Sequence, residues 1–385
     1  MLFRLPMLPY VSLLLHAYVG LRLLPELAFW PPLALILALS LAVSAWLMPL
    51  GIGFGARLAG AGRGSASLAI WLGWAGLGLF SSLLVLTFAR DLVLGGALLL
   101  HAILPDKPDL AALSHWSALA VFALGYLITL IGYANARRTA AIARVDVPIA
   151  GLPPELDGFR IAQISDIHVG PTIRRDYLRR IVDAVNELEA DMVAITGDLV
   201  DGSVKELGAH VAPLAQLRSR HGSFFVTGNH EYYSGAHAWI AELRKLGIQV
   251  LLNEHVALRH GAALAVVAGV TDYSAGHFDP AHESSPQRAI AGAPPAGVRI
   301  LLAHQPRSAF AAAQAGYEVQ LSGHTHGGQF LPWVYFVRLQ QPFVAGLHRL
   351  QGMWIYISRG TGYWGPPKRF GAPSEITLLQ LKRSG

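Results

Sequence analysis

The sequence predicts an α/β domain with a largely parallel sheet, preceded by an all-α transmembrane helical bundle. Three observations lead there. The 385 residues are 53% hydrophobic and only 14% charged, with mean hydropathy +0.42, against about 25% charge in an ordinary soluble domain. That balance excludes a wholly soluble globular chain and a wholly disordered one. The imbalance is also one-sided: residues 1–150 hold 9 Lys or Arg and 5 Asp or Glu, whereas 151–385 hold 21 and 19. Finally, short apolar runs alternate with amphipathic stretches only beyond residue 158, the rhythm of strands and helices in a buried parallel sheet. The expected division is a membrane domain at 1–135, a linker at 136–156 and the α/β domain at 157–385.

Four apolar stretches, 5–24, 32–50, 67–89 and 115–134, meet the length of about 20 residues that a bilayer core demands. A fifth, 92–104, is too short to span and comes directly after Arg90-Asp91, so it reads as an extension of the third helix or a segment lying in the interface; were it a real span, the α/β domain would lie outside. A cleavable signal peptide accounts for the first stretch at most. With four spans, Arg4, Arg57, Arg63, Arg137, Arg138 and Arg144 share one face, and Arg22, Arg90 and Lys107 the other. The positive-inside rule then puts both termini and the α/β domain in the cytoplasm, on a multi-pass protein of the cell inner membrane. His16, His101 and His115 read as ligands or proton relays or, as favoured, packed or interfacial histidines, and Gly73, Gly76 and Gly78 read as points of close helix packing. The spans show no paired charges in the sequence, which argues against a transport pathway.

The linker carries Arg137-Arg138 and the turn-prone Gly151-Leu152-Pro153-Pro154. Strands are expected at 159–165, 191–196, 223–227, 248–252, 263–268, 298–303, 318–321, 353–358 and 375–381. Helices are expected at 174–188, 204–218 and 238–246; the first places Tyr177, Leu178, Ile181, Val182, Val185 and Leu188 on one stripe. The chain has no cysteine, which excludes disulfides, thiolate nucleophiles and Cys-based zinc sites. Its net charge of +6 is scattered, so anionic lipid is a better partner than nucleic acid, and none of the latter is expected. No protein partner is evident.

The residues just beyond the strands carry the chemistry. The runs end in Asp166-Ile167-His168, Gly197-Asp198, Gly228-Asn229-His230-Glu231, His304, and Gly323-His324-Thr325-His326. The carboxyl edge of an open α/β sheet is where ligands bind. Carboxylate, amide and imidazole donors suit hard or borderline divalent cations, namely Mn, Zn, Fe, Co or Mg. Seven such donors exceed one tetrahedral zinc with an open position. They suit two ions about 3.5–4 Å apart sharing a carboxylate, a pair that activates water and clamps a phosphoryl group.

The ordered set DxH, GD, GNHE, H, GHTH resembles the calcineurin-like metallophosphoesterases over residues 157–382. GHTHGGQ at 323–329, with the later SRGTGY and PSEITLLQL, is similar to a membrane-associated bacterial branch of that family. The resemblance implies a four-layer αββα sandwich. It implies Asp166, His168 and His326 on a first metal, Asp198 bridging, and Asn229, His304 and His324 on a second. It implies His230 beside the transferring phosphate. That branch includes hydrolases of UDP-diacylglucosamine, a lipid A precursor, and general phosphodiesterases.

The expected function is therefore a membrane-anchored, two-metal-dependent phosphoesterase acting on a phosphodiester or pyrophosphate bond, with a lipid-linked substrate as first choice. A metal-activated water attacks phosphorus while His230 assists. The alternative is a catalytically weak fold serving as a membrane-bound binding platform. Further positions carry two readings each. Glu231 either orients a metal-bound histidine or faces solvent, and Arg307, Arg359 and Arg369 are phosphate contacts or surface arginines. Residues 330–343 and Tyr363-Trp364 are rich in aromatics; they read as core strand and hairpin packing or as an apolar lip for an acyl chain.

Overall fold

The computed structural model describes residues 7–58, 65–103 and 109–384. It divides into two compact units, Met1–Ala134 with Gly365–Lys368, and Asn135–Trp364 with Arg369–Gly385. The first unit holds α1 (Leu8–Leu27), α2 (Pro31–Leu58), α3 (Ser65–Ile103) and most of α4 (Leu110–Arg137). All four are long and apolar enough to cross a membrane. Residues 92–103 continue α3, whose 39 residues extend about 58 Å at 1.5 Å per residue. Leu14, Leu21, Trp46, Leu99 and Ile103 stand exposed on these helices, an apolar surface of the kind that lipid covers.

Polar side chains tie the helices together. His16 on α1 is buried, 2.7 Å by Nδ1 from Ser12 O and 3.1 Å by Nε2 from Ser44 Oγ on α2. Its ring stacks 3.6 Å from that of Phe80 on α3. A Cβ at Gly76 would meet Ser44 at 3.1 Å, so that glycine does admit a close helix approach. Gly78 faces the Lys368 side chain instead, and Lys368 Nζ donates to Gly78 O (2.7 Å) and Ser82 Oγ (2.5 Å). The spans also contain charge pairs that their sequence does not announce. Arg22 Nη2 lies 2.9 Å from Asp91 Oδ1, and His115 Nδ1 lies 3.1 Å from Glu26 Oε2. Arg90 is buried and donates to Ser114 and Ser117 on α4. These residues are far apart in sequence, so single-span hydropathy does not pair them. Arg4, Arg63 and Lys107 lie outside the described residues, as does the Arg57 side chain.

The second unit contains two six-stranded sheets. One runs β1 (Ala141–Ala150), β12 (Glu375–Ser384), β2 (Arg160–Ile164), β3 (Met192–Ile195), β4 (Ser223–Phe225), β5 (Gln249–Val250). The other runs β10 (Gly346–Leu350), β11 (Met353–Ile357), β9 (Val319–Ser322), β8 (Val298–Leu302), β7 (Ala263–Gly269), β6 (Glu254–His260). Strands β2 to β5 pair in parallel, as do β7, β8, β9 and β11, while β12 meets β2 antiparallel. Strand β1 lies within the expected linker. Its apolar side chains alternate with polar ones along ARVDV, an edge-strand pattern poorer in apolar residues than the buried runs after it.

Alternation sends each strand's side chains to two faces. Ile161, Met192, Ala194 and Phe224 of the first sheet meet Val267, Ile300, Leu302 and Leu321 of the second in one buried core. On the outer face of the first sheet, Ile164, Val193, Ile195 and Phe225 pack on α5 (Arg175–Asn186), α6 (Val204–Val211) and α8 (Ala236–Lys245) through Ile181, Val185, Leu207 and Trp239. On the outer face of the second, Leu301 and Ile355 pack on α9 (Pro286–Ile290) and α10 (Ala309–Gln314). The layers are thus helix, sheet, sheet, helix. Two further short helices, α7 (Asn229–Ser234) and α11 (Trp333–Val337), come after strand ends. The helix expected at 204–218 ends at Val211 and continues as a 3₁₀ turn over Ala212–Gln216, where Pro213 removes a backbone donor.

Candidate metal centre

The loops beyond β2, β3, β4, β8 and β9 deliver every metal-ligand residue that the sequence singles out. These loops are backbone-strained. Asp166, His168, Asp198, His324 and His326 all have positive φ, between 50° and 72°. Non-glycine residues adopt that region rarely, at about 1 kcal/mol or more each, and such outliers cluster at functional sites. The bends turn side chains at i and i+2 toward one place. Intervening glycines leave the room: a Cβ at Gly228 would overlap Asp198 Oδ1, and one at Gly323 would overlap Ser165 Oγ and Asp166 Oδ2.

The donors converge in three sets, each within 4.8 Å: Asp166, His168 and His326; Asp198, His304 and His324; and His168, Asp198 and His230. His168 Nε2 stands 3.0 Å from His326 Nε2, and His324 Nδ1 stands 3.2 Å from His304 Nε2. Asp198 Oδ2 is 3.1 Å from His304 Nε2, 3.9 Å from His168 Nε2 and 4.0 Å from His230 Nε2. Asp166 Oδ1 is 3.5 Å from His326 Nε2. Asn229 begins α7, and its Oδ1 is buried without a hydrogen-bond partner among the described residues. A buried amide oxygen left so is costly, and a cation satisfies it. The donor chemistry of carboxylate, amide and imidazole fits divalent metal.

Where a histidine's other nitrogen is tied, its tautomer is fixed. His304 Nδ1 lies 2.8 Å from Thr196 O, so it carries the proton and leaves Nε2 as a donor atom to metal. Asp201 performs this for two rings: its Oδ1 is 3.0 Å from His168 Nδ1 and 2.6 Å from His230 Nδ1. Asp201 escapes motif reading, although its position three residues beyond Asp198 in GDLVD is the available signal. Burial opposes charging of His230, but the carboxylates of Asp198 and Asp201 outweigh it and raise its pKa to about 9. Burial likewise opposes ionisation of Asp198, yet His304, His230 and His168 hold its carboxyl well below the usual range. Burial and then Arg369 push His326 well below the ordinary imidazole value, keeping it neutral.

Glu231 takes neither of its expected roles. It is buried and accepts from the backbone N–H groups of Gly228 (2.6 Å), Leu199 (2.8 Å) and Asp198 (3.0 Å), fixing the loops rather than a histidine. Arg369 is no surface arginine and points at no open phosphate site. It is fully buried and donates to the carbonyls of His326, Arg359 and Gly362. Arg359 pairs with Glu375 at 3.2 Å, and Arg307 donates to Gln340 O. The segment after His326 is not core strand. Tyr335, Phe336 and Leu339 on and beside α11 are more than half exposed. Trp364 and Tyr233 set their rings 5.8 and 5.2 Å from that of His230.

Residues 159–328 match the family described as calcineurin-like phosphoesterase. A "Transmembrane protein with metallophosphoesterase domain" from Bos taurus is 42% identical over 268 residues, covering 66% of this chain and 60% of that protein. One of the same description from Danio rerio is 39% identical over 266 residues, covering 67% and 61%. An "Uncharacterized metallophosphoesterase" from Helicobacter pylori is 38% identical over 267 residues, covering 67% and 70%. The chain belongs to the calcineurin-like metallophosphoesterases. The aligned part spans about 60% of the length of the two animal relatives. With its four apolar helices and relatives named as transmembrane proteins, this metallophosphoesterase is a membrane protein.

The glycine contacts yield a direct check. Gly323→Ala must displace Ser165 or Asp166, and is expected to lower bound divalent metal by at least about tenfold in affinity with helix content unchanged. Metal analysis of the purified variant measures this; parental metal content would contradict the packing argument.

Proposed function

We propose that this metallophosphoesterase holds two divalent cations and hydrolyses a phosphodiester or pyrophosphate bond in a lipid-linked substrate. The observation that carries the two-ion reading is the place of Asp198. Its Oδ2 lies 3.9 Å from His168 Nε2 and 3.1 Å from His304 Nε2, so one oxygen is shared between a set that includes His168 and a set that includes His304 and His324. Asp166, His168 and His326 would hold one cation, and Asn229, His304 and His324 the other, with Asp198 shared. Bound there, two cations supply an activated water and neutralise phosphoryl charge.

The chain's own residues do the rest. The neighbouring carboxylates of Asp198 and Asp201 favour the charged form of His230, the form in which Nε2 can give a proton to the leaving oxygen. Asp201 holds the Nδ1 side of that ring at 2.6 Å and thereby aims Nε2. Buried Asp166 and Asp198, each anchored by a backbone N–H (His324 and His230 respectively), keep the cage rigid, so little reorganisation accompanies reaction.

The substrate class rests on the exposed apolar segment that comes after His326. Leu331, Tyr335, Phe336 and Leu339 offer apolar surface only a few residues along the chain from a ligand histidine, a surface suited to an acyl chain or to the membrane interface. The catalytic unit is assigned to the cytoplasmic side, since residues 92–103 continue α3 rather than forming a fifth helix, and with four spans Arg57, Arg63, Arg137, Arg138 and Arg144 share the face from which the unit emerges.

Three measurements test this reading. His230→Ala is expected to retain parental metal and lose about 10²–10⁴-fold in turnover of bis-p-nitrophenyl phosphate, whereas Asp198→Ala loses metal as well; full activity in Asp198→Ala would end the two-cation reading. Phe336→Ser with Leu339→Ser is expected to raise KM for a diacyl phosphodiester in mixed micelles by about tenfold or more, at about 0.8 kcal/mol per buried CH₂, while leaving the soluble diester unaffected; equal effects on both would exclude the lip. In sealed right-side-out vesicles, protease should spare the catalytic unit until lysis, and digestion of intact vesicles would place it outside.

A further inference from the structure

Beyond the centre around Asp198, one other cluster among the described residues brings imidazoles and a carboxylate within ligand distance. His237, Asp279 and His282 offer donor atoms that all lie within 4.8 Å of one another. His237 sits in the first turn of α8, and Asp279 caps the 3₁₀ turn Pro280–His282. His237 Nε2 is 3.0 Å from Asp279 Oδ2, and His282 Nε2 is 4.0 Å from the same oxygen. None of the three belongs to the donor sets described above.

On two of the three residues the atom not facing the cluster is engaged. Asp279 Oδ1 accepts from Ala281 N at 3.0 Å, which fixes the carboxylate plane and leaves Oδ2 directed at the two rings. His282 Nδ1 lies 2.9 Å from the Tyr232 hydroxyl, which leaves Nε2 as its outward donor atom. Such tethering of the far nitrogen is what orients metal-binding histidines. Around a tetrahedral zinc with bonds of about 2.0–2.1 Å, neighbouring donors stand roughly 3.3 Å apart, so closure needs side-chain movements of about an ångström. His237 is mostly exposed and the other two are half-buried, so a water can complete the shell.

We propose that His237, Asp279 and His282 form an additional transition-metal site that takes one zinc-class ion. Two imidazoles and one carboxylate select zinc, cobalt or nickel over magnesium and calcium, which want oxygen ligands. The ion clasps the 3₁₀ turn beyond β7 onto the start of α8. Tyr232, two residues beyond His230, supports the clasp from α7. Its donors share no residue with the sets around Asp198, which makes the site a structural one.

The test uses the full chain in detergent micelles, stripped with EDTA, reloaded with Zn²⁺, freed of excess and counted. His237→Ala and Asp279→Ala should each retain one zinc fewer per chain than the parent. Tyr232→Phe should weaken retention of that ion about tenfold. Asp198→Ala provides the converse, losing zinc at the phosphoester centre while keeping this ion, so failure of either site is read separately. Exposed His237 makes its variant safe for folding. Equal zinc counts in the parent and both variants overturn the proposal. So does loss in His237→Ala without loss in Asp279→Ala, which would mean a lone surface imidazole.

Discussion

One buried carboxylate organises the metal centre without belonging to it. Glu231 gathers the backbone N–H groups of Gly228, Asp198 and Leu199. These groups belong to two different strand ends, β3 and β4, so the contact locks one loop to the other. Asp198, Asn229 and His230 inherit their positions from it. An unsatisfied N–H in this dry region costs about 1–3 kcal/mol, and Glu231 removes three such costs together. It also permits the positive φ of Asp198, because a strained backbone persists only where its surroundings over-determine it.

A second contact joins the two sheets at the same edge. The Asp166 carboxylate, beyond β2 of the first sheet, accepts from the backbone N–H of His324, beyond β9 of the second. Gln163 reinforces it, donating to Ser322 O across the layers. The donor atoms therefore come from both sheets, and the shared core of Ile161, Phe224, Ile300 and Leu321 sets their separation. Repacking that core would alter ligand spacing at a distance, because close-packed interiors transmit strain.

Legibility in the sequence tracks the range of the physics. Buried parallel strands announce themselves as apolar runs, and β2, β3, β8, β9 and β11 fall within two residues of expectation. Candidate ligand residues at strand ends are equally local signals. Strands β1, β6 and β10 are not legible, because exposed or edge strands mix polar and apolar residues and are defined by their partners. Arg369 and Glu231 escape the sequence for the same reason. A charged residue is presumed solvated, and only the folded chain shows that several backbone carbonyls or N–H groups await it. Charge pairing within the membrane helices likewise depends on helix neighbours, as with Arg22 and Asp91, 69 residues apart.

Asp201 links the centre's two tasks. Its single Oδ1 receives both His168 and His230. His168 belongs to a donor set with Asp166 and His326, whereas His230 has Trp364 and Tyr233 beside it. A carboxylate shared this way couples the charge of one ring to the other. The more electron density His168 gives up through Nε2, the stronger a donor its Nδ1–H becomes. That bond then takes up more of the Asp201 charge and leaves less to stabilise a proton on His230. His230 becomes a stronger acid, the direction called for by its proposed role at the leaving oxygen. The coupling needs no movement of the chain, only the short bonds of 2.6 and 3.0 Å that the GDLVD turn provides.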